Sequence, residues 1–241
     1  MTSDRATPEG TGVDALDGIE SVSVLGDPSR RSMYAFIRRA GRPVTRDEAA
    51  ASIGISRKLA AFHLDKLVDA GLLRARYGAP DAERRVGRRP KVYEPTDAEI
   101  AVTIPDRRHE LLAELLLAGV TGETAGRTAA QAATEAAATR GRRLGEQQRA
   151  QSRPGRLGAE RGLTLCERML DAHGYEPVRE GPTRVRLHNC PFHPLATQTP
   201  ELVCGLNHAF LAGYLEGLDA AGVRAELAPR AGECCVVLSG A

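Results

Sequence analysis

The N-terminal fold is decided by residues 44–73, which have the sequence VTRDEAAASIGISRKLAAFHLDKLVDAGLL. Thr45 is followed three residues later by Glu48, and this capping-box spacing satisfies two free amides where a helix begins. Gly54 allows the left-handed backbone conformation that a sharp change of direction requires, and Ser56 is a favoured N-cap for the next helix. The stretch therefore predicts two helices joined by a tight turn.

The second predicted helix combines an apolar face with a polar N-terminal end. Its predicted core positions are Leu59 or Ala60, Leu64, Leu67 and Val68. Arg57, Lys58 and Ala61 fall on the opposite face, close to the N terminus of the helix. In a helix-turn-helix, the N-terminal residues of the second helix approach base edges in the major groove, and a small side chain allows close approach. We therefore predict DNA contacts at Ser56, Arg57, Lys58 and Ala61.

The sequence on both sides of this helix pair completes a winged helix. Before the pair, Met33, Phe36 and Ile37 recur at helical spacing. After it, LLRARYG and KVYEPT predict two strands on either side of an arginine-rich loop at residues 78–90. Cationic side chains in such a wing supply affinity for phosphates more than they select bases. The predicted wing contacts are Arg84, Arg85, Arg88, Arg89 and Lys91.

The charge of the chain is distributed unevenly. Residues 28–93 hold 16 Lys or Arg against 6 Asp or Glu, a net charge of +10, whereas the remainder holds 17 against 25, a net charge of −8. A basic module on an acidic body is expected of a protein that meets phosphates with one part only. A basic face that is merely solvated is the alternative interpretation.

Three segments of this region together resemble the ArsR-type winged helices of bacterial regulators, and among these the SufR-like repressors. The segments are DPSRRSMYAFIRRAG, IGISRKLAAFHLDKLVDAGLL and GRRPKVYEPT, within residues 25–105. The resemblance implies a winged helix-turn-helix that binds double-stranded DNA, and a role as a repressor. A winged helix can also serve protein contact, which remains an alternative.

The whole chain of 241 residues is predicted to have an α+β fold in which a winged helix-turn-helix precedes a C-terminal sensor domain. An apolar stripe of Leu111, Leu112, Leu115 and Leu116 predicts a helix that pairs with its copy in a homodimer. A bend or loop is expected within residues 140–158. The predicted parts are a disordered lead-in at 1–20, the winged helix-turn-helix at 21–105, a helical dimerisation and linker region at 106–158, and a C-terminal α+β sensor domain at 159–241.

The C-terminal part contains a concentration of possible metal ligands. Cys190 and His193 form a C-x2-H pair, Cys204 and His208 lie four residues apart on one face of a helix predicted from about Pro200 to Asp219, and Cys234 and Cys235 open the last strand, predicted from CCVVLS. Successive strand residues face opposite sides, so one of these two adjacent thiols is expected at the site. Thiolate and imidazole are soft ligands that suit zinc or an iron-sulfur cluster. The fifth cysteine, Cys166, is predicted to be a core residue.

The resemblance to SufR-like repressors implies an iron-sulfur cluster held by three cysteines. The matching positions are Cys190, Cys204 and one of Cys234 or Cys235, although their spacing is slightly longer than the family pattern and the NCPFH and CC elements differ from it. Zinc or another single metal is one alternative, and buried thiols without any metal are the other.

These features predict a cytoplasmic, dimeric transcription regulator, a repressor, whose operator affinity is set by a cysteine-ligated centre. The chain has no run of about 18 apolar residues, and its first twenty residues carry acidic side chains rather than a basic start followed by an apolar stretch, so neither membrane insertion nor export is expected. One rival is a regulator that senses an organic effector in a pocket lined by Phe192, Phe210 and Tyr214. A second rival is an enzyme that carries a DNA-binding module, but no catalytic motif supports it and we predict no enzymatic activity.

Overall fold

The computed structural model describes residues 15–78 and 90–240. Internal contacts divide the chain into two compact units, Met1–Val102 and Thr103–Ala241. We call them unit 1 and unit 2 and describe each by itself.

Unit 1 consists of helices with a small antiparallel sheet. The sheet has the strand order β1-β3-β2, with Thr45 opposite Val92 and Tyr77 opposite Lys91. The strands predicted from LLRARYG and KVYEPT are thereby confirmed. The elements are α1 (Ala15–Ser23), α2 (Pro28–Ala40), β1 (Val44–Thr45), α3 (Arg46–Ile53), α4 (Arg57–Asp69), β2 (Leu73–Tyr77) and β3 (Lys91–Pro95).

The helix ends of unit 1 form as the sequence predicts. The capping box is present, because the Thr45 amide donates to a Glu48 carboxylate oxygen at 2.7 Å and the Glu48 amide donates to the Thr45 hydroxyl at 3.3 Å. Gly54 has φ +69°, and the Ser56 hydroxyl accepts a hydrogen bond from the Leu59 amide at 3.2 Å. These contacts fix the turn between α3 and α4 and therefore the direction in which α4 follows α3.

The prediction of a disordered lead-in at residues 1–20 is wrong for its last residues, which belong to a helix. The structure begins α1 at Ala15, while residues 1–14 lie outside the described part of the chain. Gly18 is buried, and a Cβ at this position would lie 3.3 Å from a methyl group of Val102. This close approach to the end of the unit gives the segment a packing partner that local composition did not reveal.

Unit 2 is a four-stranded antiparallel sheet with helices packed on it. The sheet has the order β4-β5-β7-β6, so the last strand lies between β5 and β6. The elements are α5 (His109–Thr121), α6 (Ala129–Ser152), α7 (Ala159–Ala172), β4 (Pro177–Gly181), β5 (Arg184–Leu187), α8 (Leu195–Gln198), α9 (Pro200–Leu218), β6 (Val223–Leu227) and β7 (Val236–Gly240).

The bend or loop predicted within residues 140–158 is confirmed but is confined to the end of that stretch, because α6 continues to Ser152 and α7 begins at Ala159. The glycines of α6 do not break the helix but allow close contact with α9. A Cβ on Gly145 would lie 2.6 Å from the Leu218 amide nitrogen, and one on Gly213 would lie 2.9 Å from the Ala138 carbonyl carbon. Gly141 and Gly217 make similarly close backbone approaches. Helices α6 and α9 therefore cross with backbone against backbone, and this tight packing compensates for the low helix propensity of glycine.

The helices of residues 106–158 share one hydrophobic core with the C-terminal sheet. Leu112 and Leu115 of α5 are buried in the same cluster as Leu170, Leu187 and the apolar side of α9. On the outer side of α5, Leu116, Leu117 and Val120 are exposed. Two leucines of the predicted dimerisation stripe thus belong to the core of unit 2, and pairing between two copies of the chain stays a prediction.

Candidate DNA-binding surface and cysteine cluster

Helix α4 presents the predicted DNA contacts at its N-terminal end. Ser56, Arg57 and Lys58 are exposed and Ala61 is half-buried, while Ala60 rather than Leu59 faces the core. The Arg57 guanidinium lies 3.2 Å from the Asp47 carboxylate of α3. An exposed pair of this kind contributes little to stability, so the guanidinium can exchange its partner for a phosphate at small cost.

Two apolar side chains of α4 were not predicted as contacts. Phe62 is 54% exposed and Leu59 is 44% exposed, and Phe62 lies one helical turn beyond Lys58. Phenylalanine can contact the C5-methyl group of thymine in the major groove. The signal available in the sequence was the placement of Phe62 away from Ala60, Leu64 and Leu67, which are buried.

The base of the wing is tied to α4. Lys91 Nζ lies 3.0 Å from the Asp65 carboxylate and 5.3 Å from the centre of the Tyr93 ring. The hydrogen bond with Asp65 raises the pKa of Lys91. The Lys91 ammonium group, a predicted DNA contact, therefore already has Asp65 as a partner in the absence of DNA. The other predicted wing contacts, at Arg84, Arg85, Arg88 and Arg89, lie outside the described residues.

Four cysteines of unit 2 meet in what we call the cysteine cluster, Cys190, Cys204, Cys234 and Cys235. The thiol of Cys190 interacts with Cys234, Cys234 interacts with Cys235, and Cys235 interacts with Cys204. Cys190 follows β5, Cys204 lies on α9, and the adjacent pair precedes β7. All four are free cysteines.

The position of Cys234 and Cys235 corrects the prediction that they open the last strand. Strand β7 begins at Val236, so the pair lies in the turn before it. The alternation of side chains along a strand does not govern a turn, and both thiols reach the cluster. Cys234 is fully buried and Cys235 is nearly so, whereas Cys190 and Cys204 are half-buried.

The surroundings of the cluster favour protonated thiols. Interaction with Cys234, together with burial, raises the pKa of Cys190 strongly, and burial raises that of Cys204. For Cys234, the interaction with Cys190 lowers the pKa, but the interaction with Cys235 and burial outweigh it and raise the pKa to about 12. A metal ion that binds here must therefore displace protons from the thiols.

A buried polar chain supports the cluster from within the core. The Asn207 side-chain amide donates to the Cys234 sulfur at 3.2 Å, and the Tyr175 hydroxyl donates to the Asn207 carbonyl oxygen at 2.6 Å. Asn207 is fully buried on α9. Neither residue was identified from the sequence, although an asparagine among the apolar residues of a buried helix is a signal that could have been used.

Of the two histidines predicted as ligands, His193 meets the cluster through its backbone: its amide interacts with the Cys190 thiol and donates to the Cys190 carbonyl oxygen at 3.0 Å. The His208 Nε2 atom lies 3.1 Å from the Ala225 carbonyl oxygen, and His193 is exposed. Within residues 15–78 and 90–240, no group of three or more His, Cys, Asp or Glu side chains is arranged to hold a metal ion. The four thiols match a soft metal centre by donor type, but their interactions link them in a row from Cys190 through Cys234 and Cys235 to Cys204.

The aromatic pocket expected for an organic effector is not formed by its predicted residues. Phe192, Phe210 and Tyr214 pack in the hydrophobic core of unit 2. A groove of about 780 Å³ lies elsewhere, between the first turns of α6 and α9. Among the described residues, no helix is both long enough and apolar enough to cross a bilayer.

Comparison with known proteins identifies the N-terminal region. The family model of a helix-turn-helix domain matches residues 25–76, which include α2, α3 and α4. A search of curated proteins finds no match. The chain therefore combines an N-terminal helix-turn-helix domain with a fold of mixed helices and strands, and the domain supports DNA binding and transcription regulation.

Proposed function

We propose that the chain is a cytoplasmic, homodimeric repressor of the ArsR-type, SufR-like kind, whose operator affinity depends on a thiol-ligated metal centre. The observation that carries this proposal is the meeting of four thiols from three separate parts of unit 2. Structural cysteines do not need to meet in one place, whereas soft metal ligands do.

The DNA-binding part of the proposal rests on α4. Its exposed N-terminal residues would enter the major groove, where Arg57 and Lys58 contact phosphates or base edges and Phe62 contacts a thymine methyl group. The net charge of +10 over residues 28–93 supplies the attraction to the phosphate backbone. The exposed apolar side of α5, with Leu117 and Val120, supports pairing of two copies across a symmetric operator.

The sensing part rests on the cysteine cluster. Cys190, Cys204 and one or both of Cys234 and Cys235 would hold an iron-sulfur cluster or zinc. These thiols would hold such a centre as thiolates, and each would have to give up its proton on binding. The Asn207 amide already donates to the Cys234 sulfur, and this hydrogen bond stabilises a thiolate more than a thiol.

The test is the metal content of protein purified without oxygen, followed by binding to an operator duplex selected by the protein from random DNA. We expect iron with acid-labile sulfide, or zinc, at a constant ratio to protein, and a change in operator affinity after the metal is removed. Cys190→Ser and Cys204→Ser should lose the metal. Cys166→Ala is the matched control, because Cys166 is buried on α7 and interacts with Tyr214 instead of the cluster.

Results of three kinds would contradict different parts of the proposal. Protein without iron, sulfide or zinc, or full metal retention by both serine variants, would refute the role of the cluster. Affinity for the selected duplex no higher than for random DNA would refute sequence-specific DNA binding. Metal content without an effect on affinity would make the centre structural.

A further inference from the structure

We infer that residues 107–109 and Asn189 form a coupling clamp that transmits the state of the cysteine cluster to the beginning of α5. This inference rests on the proposed function, since it names how the same site regulates DNA binding. Residues 106–109 follow the boundary of the two units at Val102 and Thr103 and lead directly into α5. The clamp joins this segment to the loop that carries Cys190.

One half of the clamp is centred on Asn189, the residue before Cys190. The Arg107 guanidinium donates to the Asn189 side-chain oxygen at 2.5 Å and to the Cys190 carbonyl oxygen at 3.4 Å. The Asn189 side-chain amide donates in return to the Asp106 carbonyl oxygen at 3.0 Å and to the Gly174 carbonyl oxygen at 2.5 Å. Asn189 is buried, so its donors and acceptor depend on these partners for their hydrogen bonds.

The other half follows on consecutive residues. The Arg108 amide donates to the Pro191 carbonyl oxygen at 2.8 Å, and the His109 Nε2 atom lies 3.0 Å from the His193 carbonyl oxygen. Each of three successive residues before and at the start of α5 thus contacts a different part of the 189–193 loop. Such a row of hydrogen bonds keeps one alignment between the two segments, because a shift of either one breaks several bonds together.

The clamp links the sulfur atom of Cys190 to α5 by a short path. Cys190 contributes its thiol to the cluster and its carbonyl oxygen to Arg107, and Pro191 restricts the backbone between the two halves. A bond formed or lost at the sulfur changes the preferred position of the loop carbonyls, and therefore the hydrogen bonds that hold residues 107–109. Allosteric coupling requires only that the clamp has two alignments and that the affinity of the protein for DNA differs between them.

Arg107→Ala is the variant that tests the clamp, because it removes the guanidinium and leaves the four cysteines in place. The ratio of operator affinities between metal-loaded and metal-free protein is measured on the selected duplex. We expect a ratio of at least about fivefold for the wild type, the lower range of allosteric coupling, and a ratio near one for Arg107→Ala with unchanged metal content. Arg107→Lys should restore part of the ratio, since an ammonium can still donate to one acceptor.

Arg143→Ala is the matched control, because it removes the same charge from an exposed position of α6. It should keep the ratio of the wild type. A wild-type ratio in Arg107→Ala would overturn the inference while leaving the proposed function intact.

A second measurement tests the inference even if metal-loaded and metal-free wild type have the same operator affinity. That result would count against the proposed function alone. Zinc is added to the thiols of metal-free protein, and hydrogen exchange is followed in the peptide that spans residues 106–112. We expect the exchange to change in the wild type and to stay constant in Arg107→Ala. Constant exchange in the wild type would overturn the clamp, because the cluster would then have no effect on this segment.

Discussion

Replacing Gly213 by alanine should destabilise unit 2 through the crossing of α6 and α9. The added Cβ would lie 2.9 Å from the carbonyl carbon and 3.0 Å from the Cα of Ala138, both backbone atoms that no rotamer change can move away. Overpacking of this kind costs about 3 kcal/mol, whereas the better helix propensity of alanine returns about 1 kcal/mol. The free energy of unfolding should therefore fall by about 2 kcal/mol.

The matched control is Gly205→Ala on the same helix. A Cβ on Gly205 would have no heavy atom within 4 Å, so this variant gains helix propensity without a clash and should be more stable by up to about 1 kcal/mol. Differential scanning calorimetry measures both, with an expected fall of about 6 °C in the melting temperature for Gly213→Ala. If the two variants are equally stable, the helices do not cross in backbone contact and the reasoning is refuted.

Three further predictions concern unit 1. Replacing Phe62 by alanine should weaken DNA binding about fourfold, the value of one buried methyl group. Any affinity that the wild type loses when uracil replaces the contacted thymine should not be lost by this variant. If the variant still binds the thymine duplex more tightly than the uracil duplex, Phe62 is not the contact. The pair of changes Arg57→Ala and Lys58→Ala should lower operator affinity and reduce the slope of log affinity against log salt by about 0.9 for each lost phosphate contact, with unchanged circular dichroism. Hydrogen bonds from Arg42 and Thr45 lower the pKa of Glu48 to about 2 from its usual 4.5, so the contribution of this carboxylate to stability is present above pH 4.5 and is lost as the pH falls towards 2. Across that interval, the free energy of unfolding should change less for Glu48→Gln than for the wild type. An equal change in both proteins would show that Glu48 is not the source of this pH dependence.

The parts of the fold that depend on neighbours in sequence could be predicted. The capping box of Thr45 and Glu48, the cap at Ser56 and the strands on either side of the wing all follow from residues a few positions apart. Their physical causes are local hydrogen bonds and periodic burial, which the order of residues displays directly.

The parts that depend on distant neighbours could not be predicted. Gly141 and Gly145 indicate a bend when α6 is considered alone, and only the presence of α9 shows that they allow close packing. Cysteine types and spacing indicated the cluster, but not that Asn207 supports it or that Cys234 and Cys235 both reach it. Those facts arise from the turn before β7 and from the face that α9 buries, which are properties of the tertiary structure.

The strand order of unit 2 has a consequence for the way the chain folds. The hairpins β4-β5 and β6-β7 can each form locally. The sheet is complete only when β5 pairs with β7, as in the pair Val185 and Leu238, and α9 separates these two strands in the sequence. Such a long-range closure is slow compared with hairpin formation. Cys190 and Cys234 lie on opposite sides of this join, which is extended by a hydrogen bond from the Cys234 amide to the Leu187 carbonyl oxygen at 2.9 Å. During refolding, protection of the two thiols against alkylation should therefore develop together and late, after the hairpins have formed.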